Sequence, residues 1–517
     1  MQSYVFFLKL PIINYKVIVY ICGMRTIIHF LFLPLFSLLL WNCSSSMPNN
    51  KLAKHNIGWS DNTFAAIKSY RKAALKAGYI DQKHKKYVAI TFNDIPAKAR
   101  LKGDWNDHIS KPRWSLRIKL KDSLINGTSA FNIQRPKIRE NISEYLLHKW
   151  CEQEDVLSTK YEFINVAYND EFKGYYAFEE HFTPYLLQRY NRPNGPILKF
   201  EEHHNFRTTK WRLKKKTHTR FPIMQAAGIS AFQIKNHLTD SVLHKDLQTG
   251  INYMYEYQFN HTLDQNIFDI EKSAKYFAIA SISKSFHALT WHNQRLYYNP
   301  ESKLLEPIFY DGSNNDASSW VLEEAYGCFA NSEYCKTYAA SFHVKLFKDS
   351  AFVNRYLYYL KRYSDINYLN NFYNNHLEDL QYLDGLLIKE ENYTSSNEIL
   401  NRWKHTCTVI NEKLDSLSVV FKSKAYRERL EKYHFCSEDV NMNYPYLEDY
   451  VLAYSDDQQL YVFNYLPIDI SIGSNIIHPT SHNKPKVQKI NKIEEPFFLY
   501  QNKKHPIKVR PYTIKSL

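Results

Sequence analysis

At 517 residues the chain is too long for one simple core, so two or three domains are expected; 23% charged and 44% hydrophobic residues exclude a disordered protein. A formal charge of +15 at pH 7 favours polyanions: nucleotide phosphates, anionic lipid head groups or acidic glycans. No nucleic-acid motif accompanies that charge, so nucleic acid is not an expected partner. The 16% aromatic content, with 41 Tyr, points to aromatic-rich packing.

The first apolar run, Tyr4 to Ile21, is interrupted by Lys9, Pro11, Asn14 and Lys16 and makes a poor membrane span. The second has the parts of a signal peptide in order: Met24-Arg25, an apolar stretch Ile27 to Leu40, then Trp41-Asn42-Cys43 and a polar tether. A cysteine directly after the apolar stretch resembles a lipobox, which makes Cys43 the expected lipidation site; Trp41 and Asn42 depart from the small residues such a box carries. A plain transmembrane anchor from Met24 is the competing reading and gives the same topology. Both place the rest of the chain outside the cytoplasm, anchored to a membrane of the cell envelope, with Met24 the preferred start over Met1. The seven cysteines hold no Cys-x-x-Cys pair, so no zinc ribbon is expected; Cys328 and Cys335 are spaced for a local disulfide, and small buried hydrophobes are the plainer reading.

After residues 1–49, the spacing of Phe64, Ile67, Tyr70, Ala74 and Leu75 predicts a helix stopped by Gly78. Tyr87 to Phe92 and Ala97 to Gly103 read as strands. In Trp114 to Leu120 the apolar residues alternate with Ser115, Arg117 and Lys119, so successive strands carry cations outward and build a basic sheet face. A helix from Glu140 to Trp150 precedes a hairpin, Tyr161 to Tyr168 and Gly174 to Phe182, turned at Asn169-Asp170. Thr183 to Tyr190 reads as a short helix and Gly195 to Glu201 as a strand. Lys199, between apolar neighbours, either snorkels or is held for a buried anion.

The basic run 201–220 reads as a solvated loop, with an acidic substrate or anionic lipid as the alternative. Tyr253 to Asn260 and Asp269 to His287 are expected helices. The second delivers a polar cluster, His287, His292 and Asn293, to a hairpin that ends on Asp311. An amide and a carboxylate from the two ends of one hairpin suit a hard cation such as Mg²⁺, its shell completed by a nucleotide phosphate; an ordinary polar hairpin is the rival reading. Residues 342–348, 353–363, 368–389 and 396–416 are expected helices. Strand-like segments after Tyr444 predict a small β-sandwich-type module.

Several of these pieces together resemble the CotH kinase family, the spore coat protein H-like proteins. They are Arg100-Leu-Lys-Gly103, Ser115-Leu-Arg-Ile-Lys119, Phe131-Asn-Ile with Arg139-Glu140, Gly174-x-Tyr-x-x-x-Glu180, Gly195-Pro-Ile-Leu-Lys199 and Leu305-Glu-Pro-Ile-Phe-Tyr-Asp311. Singly weak, they are specific in their order and spacing, and the resemblance covers roughly residues 80–345.

The resemblance implies an atypical protein kinase that uses ATP and Mg²⁺ (or Mn²⁺) to phosphorylate serine on other proteins. The implied fold is α+β and two-lobed: a kinase-like domain over 58–345 with a β-rich N-terminal lobe and a helical second lobe. Beyond the resemblance, the helical patterns make 346–443 an expected helical extension of the large lobe, and the strand-like segments make 444–517 the β-rich module. Asn293 and Asp311 become metal ligands, and Arg117, Lys119, Glu180 and Lys199 the nucleotide-binding set. The aspartate that protein kinases carry shortly before the asparagine is missing, since position 288 is Ala; His287 or Asp316 is left as the catalytic candidate. That departure keeps a second expectation alive: a catalytically degenerate surface lipoprotein that binds or scaffolds.

Overall fold

The computed structural model describes residues 52–219, 221–259, 267–312, 343, 346–431, 440–481 and 485–512; Leu52–Leu517 form one compact unit. Cys43, Asp316, Cys328 and Cys335 lie outside the described residues. The protein is mixed α+β, and no helix among the described residues is long and apolar enough to cross a membrane.

The chain first closes a barrel. Its strands are β1 (Lys54–Gly58), β2 (Val88–Phe92), β3 (Ile95–Leu101), β4 (Leu116–Leu120), β5 (Ala130–Gln134) and, after the two-residue β6 (Leu157–Ser158), β7 (Tyr161–Tyr168) and β8 (Glu171–Glu180). The order β1-β2-β3-β4-β5-β8-β7 closes because β1 pairs parallel with β7, Lys54 opposite Asn165 through Ile57 opposite Tyr168. Asn93-Asp94 and Asn169-Asp170 turn the two hairpins with φ of 49°, 63°, 47° and 65°, a left-handed pair that asparagine and aspartate tolerate well. Period-two alternation sends Leu116, Ile118, Phe131, Ile133, Tyr176 and Phe178 into the barrel and Arg117, Asn132 and Glu179 outward. The helix Asp61–Ala77 covers the barrel with Ile67 and Ala74; Ser60 caps its start by accepting the Thr63 N–H, and Gly78 (φ 80°) ends it in the left-handed turn.

A second sheet, ordered β10-β9-β11-β12-β6, adds β9 (Ile197–Phe200), β10 (Ile229–Ala231), β11 (Arg295–Asn299) and β12 (Leu304–Phe309). It shares one continuous core with the helices Ser143–Gln153, Ser241–Phe259, Ile270–Ser283, Ser350–Tyr363 and Ser396–Lys422. Trp150 is fully buried there among the rings of Tyr363, Phe372 and Trp403.

Three expectations change. The basic run 201–220 is no loop: His203–Lys215 is a helix, docked by His204 and Thr208 on one buried side while Lys214 and Lys215 stay in solvent. The segment expected as one helix over 368–389 is two, Ile366–Asn375 and Leu377–Leu387, broken at His376. The C-terminal module is β-rich but among the described residues is one four-stranded sheet, β17-β14-β13-β20 (Gln488–Asn491, Gln459–Asn464, Val451–Ser455, Val509–Arg510), with two separate hairpins, β15–β16 (Ile470–Ile472, Asn475–Ile477) and β18–β19 (Phe497–Tyr500, Lys503–Pro506), where a sandwich needs two facing sheets. Tyr450, Leu452 and Phe463 join the same core as the helices, and Arg510 and Arg207 tie the module to the rest through Glu201 and Asp449. Cys151 and Cys407 are free, buried thiols.

Candidate active site

Strand register assembles the first half of the site. Arg100, Arg117, Asn132 and Glu179 are successive cross-strand partners on β3, β4, β5 and β8, so they form one row on the barrel's outer face. Arg117 Nε donates to Asn132 Oδ1 at 2.9 Å, and Asn132 Nδ2 donates to Glu179 Oε2 at 2.8 Å. Lys102, just past β3, donates to Gln134 Oε1 at 2.5 Å and pairs with Glu179 at 3.3 Å. Burial lowers the Lys102 ammonium to about 8, although Glu179 pulls the other way.

The second half comes from the sheet and helices opposite. Arg139 ends the single-turn helix Pro136–Arg139 and reaches Asp311 Oδ1 with Nη1 at 2.6 Å; its Nε lies 3.7 Å from Glu179. Glu179 therefore stands between Lys102 and Arg139, and Arg139 links it to Asp311. His287 Nδ1 lies 3.2 Å from Asp311 Oδ1, and Asn293 Nδ2 donates to the His287 carbonyl at 3.0 Å and lies 3.5 Å from Asp311 Oδ2. Burial would raise the Asp311 carboxyl, but Arg139 and His287 hold it well below the usual carboxylate range. For His287 burial acts downward and Asp311 upward, and the net is a raised imidazole. Glu144, in the first turn of the helix Ser143–Gln153, accepts the Gly312 N–H at 3.1 Å and holds His148 at 3.1 Å, which fixes the chain immediately after Asp311.

Beside this network lies a cavity of about 490 Å³ with Lys119, His181, Thr183, Lys199, Gln233 and Lys235 in its wall. Lys199 stands opposite Arg295 in the β9–β11 register, and its ammonium lies 4.7 Å from the Phe232 ring centre; that of Lys119 lies 5.4 Å from Tyr87. Among the described residues the ion pairs include no carboxylate partner for either lysine. Burial, with Arg295 next, lowers Lys199 to about 8, and burial with nearby Arg100 lowers Arg117 to about 10. His181 is held well below its ordinary value by burial and then by Arg117, Lys199 and Lys119. His181 Nδ1 and Thr183 Oγ1 are buried without a hydrogen-bond partner. Desolvated cations and orphaned polar atoms around one cavity are chemistry suited to an anion.

Of the residues singled out in sequence, His287, Asn293 and Asp311 meet in one cluster, Lys119 and Lys199 share the cavity, and Arg117 joins the barrel row. Glu180 is apart from all three: it accepts the Lys160 N–H at 2.9 Å and pairs with Arg189 at 3.0 Å. Its neighbour Glu179 is the carboxylate that engages a lysine, because alternation along β8 turns the two side chains to opposite faces. Sequence reading also passed over Lys102 and Arg139 as individual residues, though both stand inside quoted segments, Arg100-Leu-Lys-Gly103 and Arg139-Glu140.

For a divalent cation the candidate oxygen donors are the Asp311 carboxylate and Asn293 Oδ1; it is the amide nitrogen, Nδ2, that stands 3.5 Å from Asp311 Oδ2, so the amide has to turn to offer its oxygen. No group of three or more His, Cys, Asp or Glu among the described residues is arranged to hold a metal. Two oxygen donors from the protein leave the rest of an octahedral shell to water or phosphate that arrives with the ion. Searched against protein-family models the chain matches none, and no curated protein matches it.

Proposed function

We propose that the chain is an atypical protein kinase of the CotH type, with the barrel as its small lobe, the helical region as its large lobe and a nucleotide between them. It transfers phosphate from ATP to serine, or another hydroxyl, of envelope or surface proteins. One observation carries the reading: Lys102, Glu179, Arg139, Asp311 and Asn293 come together from five separate segments in one charged network, next to an anion-suited cavity that other cations line. The order of sequence segments that resemble the family supports it independently. The leader sequence, read with Cys43 as lipidation site, supports an enzyme anchored at the extracytoplasmic face of a membrane.

Phosphoryl transfer is mostly positioning and charge stabilisation. Lys102 and Arg139 hold phosphate oxygens, and Glu179 orients both cations. Lys119, Lys199, His181 and Thr183 take the rest of the nucleotide. Asp311 and Asn293 would hold Mg²⁺, which would supply neutralisation of the charge that develops on the transferred group. His287, whose imidazole Asp311 raises against the effect of burial, positions that carboxylate. A loose transition state asks little of a base.

One observation favours the second reading, a surface lipoprotein that binds nucleotide without transfer. Ala288, where a catalytic aspartate is missing, is fully buried, and its carbonyl accepts the Tyr276 hydroxyl at 2.8 Å. Incubation of the chain from residue 50 onward with labelled ATP and Mg²⁺ or Mn²⁺, wild type beside Asp311→Ala, separates the two. Asp311-dependent autophosphorylation supports the kinase, binding without transfer supports the binder, and neither rejects the nucleotide site.

A further inference from the structure

We infer that Arg139 is the counter-ion that Asp311 keeps until a divalent cation arrives, and that its guanidinium then turns to the phosphates of the bound nucleotide. The phosphate half of this rests on the nucleotide reading above; the exchange at Asp311 does not. Arg139 Nη1 and His287 Nδ1 sit 2.6 and 3.2 Å from the same oxygen, Asp311 Oδ1. A metal–oxygen bond of about 2.1 Å places a divalent charge where those two groups already stand. Two cations crowding one carboxylate oxygen repel, so cation binding there requires the guanidinium to leave.

The guanidinium is also under-used where it stands. Arg139 is 8% exposed, and its Nε has no hydrogen-bond partner, with Glu179 3.7 Å away. A buried guanidinium has five donors in a fork made for carboxylate or phosphate, and leaving any of them unmade is costly. A phosphate oxygen satisfies that donor, and Glu179 keeps Lys102 when Arg139 moves. The backbone around the pair adopts sparsely populated conformations: Glu140 and Asn141, directly after Arg139, have φ of 53° and 57°, and Asp311 has φ of 59°. Asparagine and aspartate tolerate that region, so Glu140 is the strained residue of the three, and such strain gathers at switching sites.

The pair works as a lock. Free divalent cations do not load onto Asp311, and nucleotide opens the site by offering Arg139 a better anion. The test measures Mn²⁺ binding from the free-Mn²⁺ electron-spin signal, with no nucleotide present, for wild type, Arg139→Met and Arg139→Met with Asp311→Asn. R139M is expected to bind Mn²⁺ about ten-fold more tightly than wild type, and the added D311N to abolish the gain. An R139M chain that melts cooperatively yet binds Mn²⁺ no better than wild type overturns the inference. A second measurement needs no variant. Wild-type melting temperature is expected to stay unchanged in Mn²⁺ alone and to rise in Mn²⁺ with a non-hydrolysable ATP analogue beyond the rise with the analogue alone. Stabilisation by Mn²⁺ alone equal to that with the analogue overturns the lock. An analogue without effect under any condition rejects the nucleotide site, and the nucleotide-free comparison of R139M with wild type still decides the exchange.

Discussion

Two charged regions stand side by side and are built on opposite rules. Around Asp311 the charges are of both signs and mutually engaged: Lys102 with Glu179, Arg139 with Glu179 and Asp311, His287 with Asp311. In the cavity wall the charges are of one sign, Lys119, Lys199 and Lys235 with Arg117 close by; Glu202 pairs with Arg295 and is felt by Lys199, but no carboxylate pairs with Lys119 or Lys199 among the described residues. The first arrangement is stable with nothing bound, because each desolvated charge has an opposite one beside it. The second is stable only against a cost that an anion relieves. Removing one of the shared carboxylates, Asp311 or Glu179, from the first region should therefore damage the fold, and removing a cation from the second should relax it.

The largest expected effect is at the junction of the first region. Asp311→Ala leaves Arg139 buried beside a missing carboxylate and is expected to cost about 3–5 kcal/mol, read by denaturant unfolding. Phosphate transfer from labelled ATP should drop by about 100-fold or more in the same variant. Glu179→Ala strips the carboxylate shared by Lys102 and Arg139; a loss of about 3 kcal/mol is expected. Glu180→Ala, one residue away, should leave nucleotide binding by calorimetry unaltered, since its partners are Lys160 and Arg189. Equal loss of binding in both variants would erase the distinction between the two carboxylates.

Lys199→Met is expected to have the opposite sign. The ligand-free chain should melt higher than wild type, while ATP binds about ten-fold more weakly. A lower melting temperature would show that the cavity cations are already satisfied.

The smallest effect is a pH dependence. Lys102 and Lys199 are lowered to about 8, below the ordinary 10.5 of an exposed lysine. Between those values the unfolded chain binds more protons than the folded one, so their contribution to stability rises as pH increases through that window. Nucleotide affinity should fall over the same window, as both ammoniums lose their protons. Lys199→Arg, which stays charged, should flatten the affinity profile; an unchanged profile would remove Lys199 from the binding set.

Much of the architecture was legible locally. Alternation in Trp114 to Leu120 marked Arg117 and Lys119 as outward, and the Asn169-Asp170 turn marked its hairpin, because period-two patterning and turn chemistry act over a few residues. Asn293 and Asp311 could be paired in sequence because one hairpin carries both. The helix His203–Lys215 escaped because its many cations masked a sparse buried stripe, and that stripe matters only once the C-terminal sheet packs against it.

The sequence by itself determined the mixed α+β composition, the outward basic face, the hairpin bearing Asn293 and Asp311, and the segments holding Lys102 and Arg139. Tertiary structure decided which of those residues meet. That Glu179 and not Glu180 engages a lysine depends on the register of β8 against β5, where one step exchanges the two faces of a strand. That Arg139 stands on Asp311 depends on segments far apart in the chain closing around a shared buried space. No local pattern encodes such a pairing, because what brings buried opposite charges together is the desolvation each would suffer alone.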